Sequence, residues 1–195
     1  MDYGAGNLFS IECALKKSGL DAYVVRSPLK IEGADAIVLP GVGNFKTASR
    51  NVNALRNAVL QSVKEGKPLL GICLGMQLLF HESEESPGEG LKLLKGKVLK
   101  LPESVKIPHM GWNTINIIRG DPLLHDVKKD SHFYFVHSYY AQPESDDVIL
   151  AETDYGVKFA SVVSKGNVYG TQFHPEKSGK PGRIILRNFA KIVKR

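Results

Sequence analysis

Residues 69–80 read "LLGICLGMQLLF", an apolar run in which Cys73 sits between Gly71 and Gly75. Packing alone would be served by valine or alanine there. Glycine on both flanks costs backbone entropy that a plain core segment has no reason to spend. The G-x-C-x-G pattern, with an apolar strand before it and an apolar helix after it, matches the nucleophile elbow with cysteine in the serine position. So sharp a strand-to-helix turn strains and exposes the nucleophile, and side chains two residues to either side would clash. The turn also sets Cys73 at a helix N-terminus, where the dipole favours thiolate over thiol. It points the amide of the next residue, Leu74, at an incoming oxyanion. The plain alternative is a buried structural cysteine with incidental glycines.

Outward from the elbow, the first half alternates as a parallel sheet covered by helices does. "NLFSIECALKKSG" carries apolar residues at Leu8, Ile11, Cys13, Ala14 and Leu15, a helical spacing closed by Gly19. "DAYVVR" and "DAIVLP" read as short strands, and "KTASRNVNALRNAVLQSVKEGK" as one amphipathic helix ending in lysines and a glycine. "PLLGI" is a strand and "LGMQLLFHES" a helix, followed by the polar loop "ESEESPGEG". The second half changes character: "GKVLKL", "WNTINIIR", "HFYFVHSYYA", "DVILAET", "VKFASVV" and "NVYGTQF" are six strand-like runs broken by turns. A final helix, about Gly179 to Lys194, closes the chain.

The chain has 195 residues, 43% hydrophobic and 24% charged, enough for one substantial core but short for two, so a single domain over residues 1–195 is expected. No run approaches the roughly 18 uncharged apolar residues of a membrane span, and the N-terminus has no basic segment ahead of an apolar one. A cytoplasmic protein is expected. Cys13 and Cys73 are the two cysteines, too few for a disulfide scaffold, so chemistry at Cys73 is thiol chemistry. The net charge of +6 is spread along the chain with only small clusters such as "VKK" and "KIVKR", which argues against a nucleic-acid surface.

A thiolate nucleophile needs a proton acceptor, and spacing alone does not choose among His81, His109, His125, His132, His137 and His174. His174 stands apart because it ends "NVYGTQF" and is followed by Pro175 and Glu176. A proline between an imidazole and a carboxylate can fix both at a strand end, with Glu176 orienting the ring. Metal binding is disfavoured, because His132 and His137 are five apart on an expected strand and face opposite sides. At the end of "DAIVLP", the glycines of "LPGVGNF" make a turn in which peptide planes flip cheaply, suited to a second oxyanion donor beside the elbow. A phosphate loop is the rival reading, but the third glycine and the Gly-Lys-Ser/Thr ending are lacking.

"LPGVGNF", "GICLGMQLLF" and "TQFHPEKS", in this order and spacing, resemble the signature of the class I, triad-type glutamine amidotransferases. "IPHMGWN", "FYFVHSYY" and the "DYGAGNL" opening narrow the resemblance to the glutaminase subunits of imidazole glycerol phosphate synthases, enzymes of histidine biosynthesis. The likeness covers essentially the whole chain. It implies an α/β, flavodoxin-like fold with a mostly parallel central sheet, helices on both faces and extra antiparallel strands in the second half. Cys73 would be the nucleophile, His174 the general base and acid, and Glu176 its orienting partner. Gly41, Val42 and Gly43, with the amide of Leu74, would form the oxyanion hole. Gln77 and Glu85 match positions that hold glutamine, Glu85 pairing with its α-ammonium, and the backbone around Ser138 and Tyr139 would receive its α-carboxylate. The implied partner is a (β/α)8-barrel cyclase in a heterodimer, met by Asn7, Trp112 and Lys177, and no metal or organic cofactor is called for. In one respect the chain departs from the family: a short apolar strand normally precedes "DYGAGNL", and here Met1 directly precedes Asp2.

Overall fold

The computed structural model describes residues 1–4 and 7–195, so the Ala5–Gly6 part of "DYGAGNL" lies outside the described residues. The elbow strand organises the rest. In chain order, α1 (Leu8–Lys17), α2 (Pro28–Glu32), β1 (Ile37–Leu39), α3 (Phe45–Asn53) and α4 (Arg56–Lys64) precede β2 (Leu69–Ile72) and α5 (Leu74–Gln77). Then follow β3 (Gly96–Lys100), β4 (His109–Thr114), β5 (Asn116–Ile117), β6 (His132–His137), β7 (Tyr139–Pro143), β8 (Ile149–Asp154), β9 (Lys158–Lys165), β10 (Val168–Thr171) and α6 (Gly179–Val193).

The central sheet runs β1-β2-β10-β9-β8-β5. β2 is flanked by parallel neighbours, with Ile37 and Val168 both in register with Leu69. From β10 outward the pairings are antiparallel. This is the expected architecture, with antiparallel strands contributed by the second half. Every residue of β2 is buried, as a strand covered on both faces requires. Leu69 packs into one core layer with Leu39, Phe45, Val52 and Val59, under α3 and α4. Leu70 and Ile72 point the other way, to Phe133, Phe173, Ile185 and Phe189, under α1 and α6. In α6 the buried Gly182, Ile185, Leu186, Phe189 and Ala190 recur at the helical spacing that such a layer needs.

Several expected elements change shape. The long helix over residues 46–67 is two helices, α3 and α4, because Leu55 leaves the helical register to bury its side chain. The helix expected over 74–83 stops at Gln77. The carbonyls that would extend it are occupied by the returning segment: Leu78 O accepts from Leu91 N, Leu79 O from Leu93 N and Leu94 N, and His81 O from Gly90 N. "DAYVVR" forms no strand. Residues 1 and 2 lie between it and β1, the Met1 ammonium donating to Val38 O at 2.8 Å and Asp2 N to Val25 O at 2.8 Å. That single backbone bond to Val25 is too little for a ladder, and an apolar cavity of about 210 Å³ lined by Ile11, Leu15, Val25 and Ile37 lies alongside. The runs "WNTINIIR" and "HFYFVHSYYA" each break into two strands, giving two small sheets, β3–β7 and β4–β6, with Ser138 at the crossing from β6 to β7.

Candidate active site

Cys73 follows β2 with φ 54° and ψ −110°, a conformation that a residue with a side chain rarely adopts. Its neighbours explain how the turn closes. A Cβ on Gly75 would lie 1.8 Å from Leu39 O, and one on Gly71 would lie 2.6 Å from Gly75 O. Both glycines are therefore dictated by backbone passing backbone. Gly41 is under the same constraint from the other side, since its Cβ would meet Gly75 N at 2.7 Å. The Pro40–Gly43 loop thus lies against the elbow, and the buried hydroxyl of Tyr3 holds it by donating to Pro40 O. Gly43 has φ +119° with open space around it, so there the glycine is needed for conformation rather than room.

The histidine comes from the end of β10. His174 is 2% exposed, and its Nδ1 lies 2.9 Å from Oε1 of Glu176, itself buried. Its backbone is clamped on both sides: His174 N donates to Tyr134 O at 2.9 Å, and Ser178 Oγ donates to His174 O at 2.6 Å. A Cβ on Gly182 would fall 1.9 Å from Pro175 O, so α6 approaches the Pro175–Lys177 turn through a glycine. His174 Nε2 is buried with no hydrogen-bond partner among the described residues. Burial pulls this imidazole down, but Cys73 and the Glu176 carboxylate outweigh it and raise it to about 9. The Cys73 sulfur lies 3.7 Å from the Val136 carbonyl.

The cleft above the sulfur, of about 270 Å³, is lined by Val42, Gly43, Cys73, Leu74, Gln77, Glu85, Ser138 and Tyr139. Every residue assigned to glutamine binding lines this one space. Leu74 is the first residue of α5, so its N–H has no acceptor within the helix and is free for an oxyanion. Glu85 Oε2 accepts from Phe45 N at 2.7 Å, which pins the "ESEESPGEG" loop to the start of α3 and leaves the other carboxylate oxygen for a cation. Gln77 Nε2 donates to Tyr139 O at 2.8 Å and to Gln172 Oε1 at 3.3 Å.

Of the three residues expected at a partner face, the structure gathers two around Tyr134, which the sequence reading did not name. Trp112 is 56% exposed and meets the Tyr134 ring edge-on at 5.9 Å, and Lys177 Nζ lies 5.9 Å from the centre of the same ring. Asn7 is exposed at the start of α1, its Oδ1 capping the helix by accepting from Ser10 N at 3.3 Å. His109 and His137, two of the six histidines weighed as proton acceptors, are instead buried against each other, Nδ1 of the first 3.1 Å from Nε2 of the second, a pairing their spacing did not signal. His137 Nδ1 donates to Tyr139 O at 2.9 Å. Burial keeps His109 at about 4; burial and then the His109 charge keep His137 at about 3. Both are neutral at pH 7. The "PHMGWN" and "FVHSY" stretches gave a signal of these two only as fragments of a resemblance.

The fold and cleft define a class: α/β proteins in which a cysteine at a strained elbow faces a carboxylate-backed histidine beside a glycine-rich loop. The chain belongs to the class-I glutamine amidotransferase family, whose profile matches residues 1–193. It is 51% identical over 195 residues, all of this chain and 98% of the relative, to imidazole glycerol phosphate synthase subunit HisH of Methanothermobacter thermautotrophicus. It is 50% identical over 194 residues, 98% of this chain and 97% of the relative, to the protein of the same name from Pyrococcus furiosus. More distant solved structures share the fold. A glutamine amidotransferase crystal structure matches with TM-score 0.78 at 23% identity, covering 98% of this chain and 96% of the other. PurLQS from Thermotoga maritima matches with TM-score 0.72 at 19% identity, covering 99% and 96%. Among the described residues no helix is long and apolar enough to cross a membrane.

Proposed function

We propose that this chain is the glutaminase subunit of an imidazole glycerol phosphate synthase, releasing ammonia from glutamine for a (β/α)8-barrel cyclase partner in the cytoplasm, with residues 1–195 acting as one catalytic domain. The observation that carries the reading is the meeting of Cys73 and the His174–Glu176 pair beside the cleft where Gln77, Glu85, Ser138 and Tyr139 converge. The two relatives that match over nearly their whole length are subunits of that synthase, which supports this choice of partner reaction.

In this mechanism Cys73 and His174 share one proton, carried by the imidazole when the sulfur attacks the side-chain carbonyl of glutamine. The Leu74 amide and an amide of the Gly41–Gly43 loop take the negative charge on the carbonyl oxygen. Imidazolium His174, held in orientation by Glu176, passes its proton to the departing nitrogen, and ammonia leaves a γ-glutamyl thioester on Cys73. Water deprotonated by His174 then attacks the thioester, releasing glutamate and restoring the thiol. Glu85 pairs with the substrate ammonium, the Ser138–Tyr139 backbone receives its carboxylate, and Gln77 offers Oε1, because both its N–H groups are used within the protein. Trp112, Tyr134, Lys177 and Asn7 meet the barrel. Glutamate release, assayed on the chain alone, with the barrel subunit and with its nucleotide bound, tests the reading. Release that depends on Cys73 supports it; no release under any of the three conditions overturns it.

A further inference from the structure

Gln172 lies one residue beyond β10, two before His174, and is fully buried. A fully buried primary amide needs partners for both its ends, and here one of the partners is the nucleophile. Gln172 Nε2 lies 3.7 Å from Cys73 Sγ, and its Oε1 is 3.3 Å from Gln77 Nε2. The direction of this amide is fixed by a neighbour that has no choice. Tyr139 O is a carbonyl and can only accept, so the Gln77 group 2.8 Å from it must be the NH₂. That NH₂ then faces Gln172, which must present its oxygen in return, since the flipped amide would set donor against donor. The Gln172 NH₂ is therefore aimed at the sulfur. The same carbonyl sets the opposite arm: His137 must carry its proton on Nδ1 to donate to Tyr139 O, so its Nε2 accepts from Nδ1 of His109.

The two polar groups on the sulfur suit different states. The Val136 carbonyl, also at 3.7 Å, accepts from an S–H and repels a thiolate, whereas the Gln172 N–H becomes a stronger partner once the sulfur is negative. We propose that Gln172 is a further residue of the catalytic machinery, donating to the Cys73 sulfur and stabilising its thiolate, with its amide locked in that direction by Gln77 and the Tyr139 carbonyl. The proposal rests on Cys73 as the nucleophile of the reading above, but its test does not involve glutamine.

The experiment is the pH profile of alkylation of the free chain by iodoacetamide, read separately at Cys73 and Cys13 by peptide mass spectrometry. Alkylation follows the thiolate fraction. Gln172→Met keeps the length and Gln172→Leu the bulk, and each removes the N–H without adding a charge beside the sulfur. In each, the Cys73 profile should move to higher pH by about one unit, a roughly tenfold slower reaction below the midpoint, with the Cys13 profile unchanged as an internal control. If either variant fails to fold, judged by its melting curve, the other carries the test. A Cys73 profile that stays in place in a folded variant overturns the proposal. A shifted profile in a chain that releases no glutamate would sustain Gln172 while refuting the glutaminase reading.

Discussion

The imidazole of His174 and the carboxylate of Glu176, two residues apart, meet at 2.9 Å through a turn made rigid by Pro175, and both are shut away from water. Glu176 Oε2 has no partner among the described residues, so the carboxylate is committed to the ring. Against the pull of burial, Cys73 and then this carboxylate raise the imidazole to about 9. The loss of activity on the alkaline side should therefore fall near pH 9. Glu176→Gln should move that limb to lower pH while leaving measurable glutaminase, and His174→Ala should lower kcat by about 10²- to 10⁴-fold. Steady-state glutamate release across pH measures all three.

The same shift has a stability sign. The folded value of about 9 lies above the 6.5 of a free imidazole, so this proton favours the fold fully below pH 6.5 and ceases to as pH rises through 9. The drop in melting temperature between pH 7 and 10 should be smaller in His174→Gln than in the unsubstituted chain.

His109 and His137 act in the opposite direction. Their folded values of about 4 and 3 lie below 6.5, so the unfolded chain takes up protons first as pH falls from 6.5 toward 4, and stability is lost over that window. Replacing His137 by glutamine removes one of the titrating groups. Melting curves between pH 6.5 and 4 should show a shallower acid slope in the variant, and an unchanged slope would contradict the buried neutral pair.

Labelling should discriminate between the two thiols. A diazo-ketone norleucine, a glutamine analogue, should modify Cys73 once per chain and spare Cys13, which lies in α1 away from the cleft. Intact mass followed by peptide mapping reads the site directly.

The elbow glycines should not be equivalent to those of the loop. Gly75→Ala places a carbon 1.8 Å from Leu39 O and should cost at least about 3 kcal/mol, the top of the overpacking range, because two backbones must separate. Gly43→Ala meets nothing within 4 Å and should cost less, through its φ of +119° alone. Urea midpoints for the two variants compare them.

The sequence by itself determined what depends on near neighbours. A pentapeptide suffices to signal an elbow, because the clash that requires Gly71 arises within it, against Gly75 O, whereas the clash that requires Gly75 comes from Leu39 O on the neighbouring strand. A tripeptide suffices to pair His174 with Glu176, because proline fixes the path between them. The apolar spacing of α1 and α6 was equally legible, since one face of each must meet the sheet. Only tertiary structure decided matters settled by distant backbone. Helix α5 ends at Gln77 because residues 90–94 take the carbonyls it would have used, and "DAYVVR" is tied inward by one backbone bond, Asp2 N to Val25 O, which is too little for a ladder. Gln172, His109 and His137 were illegible for the same reason. An isolated glutamine or histidine carries no mark of its partner: Gln172 meets Gln77 and Cys73, and His109 meets His137, only once the fold has closed.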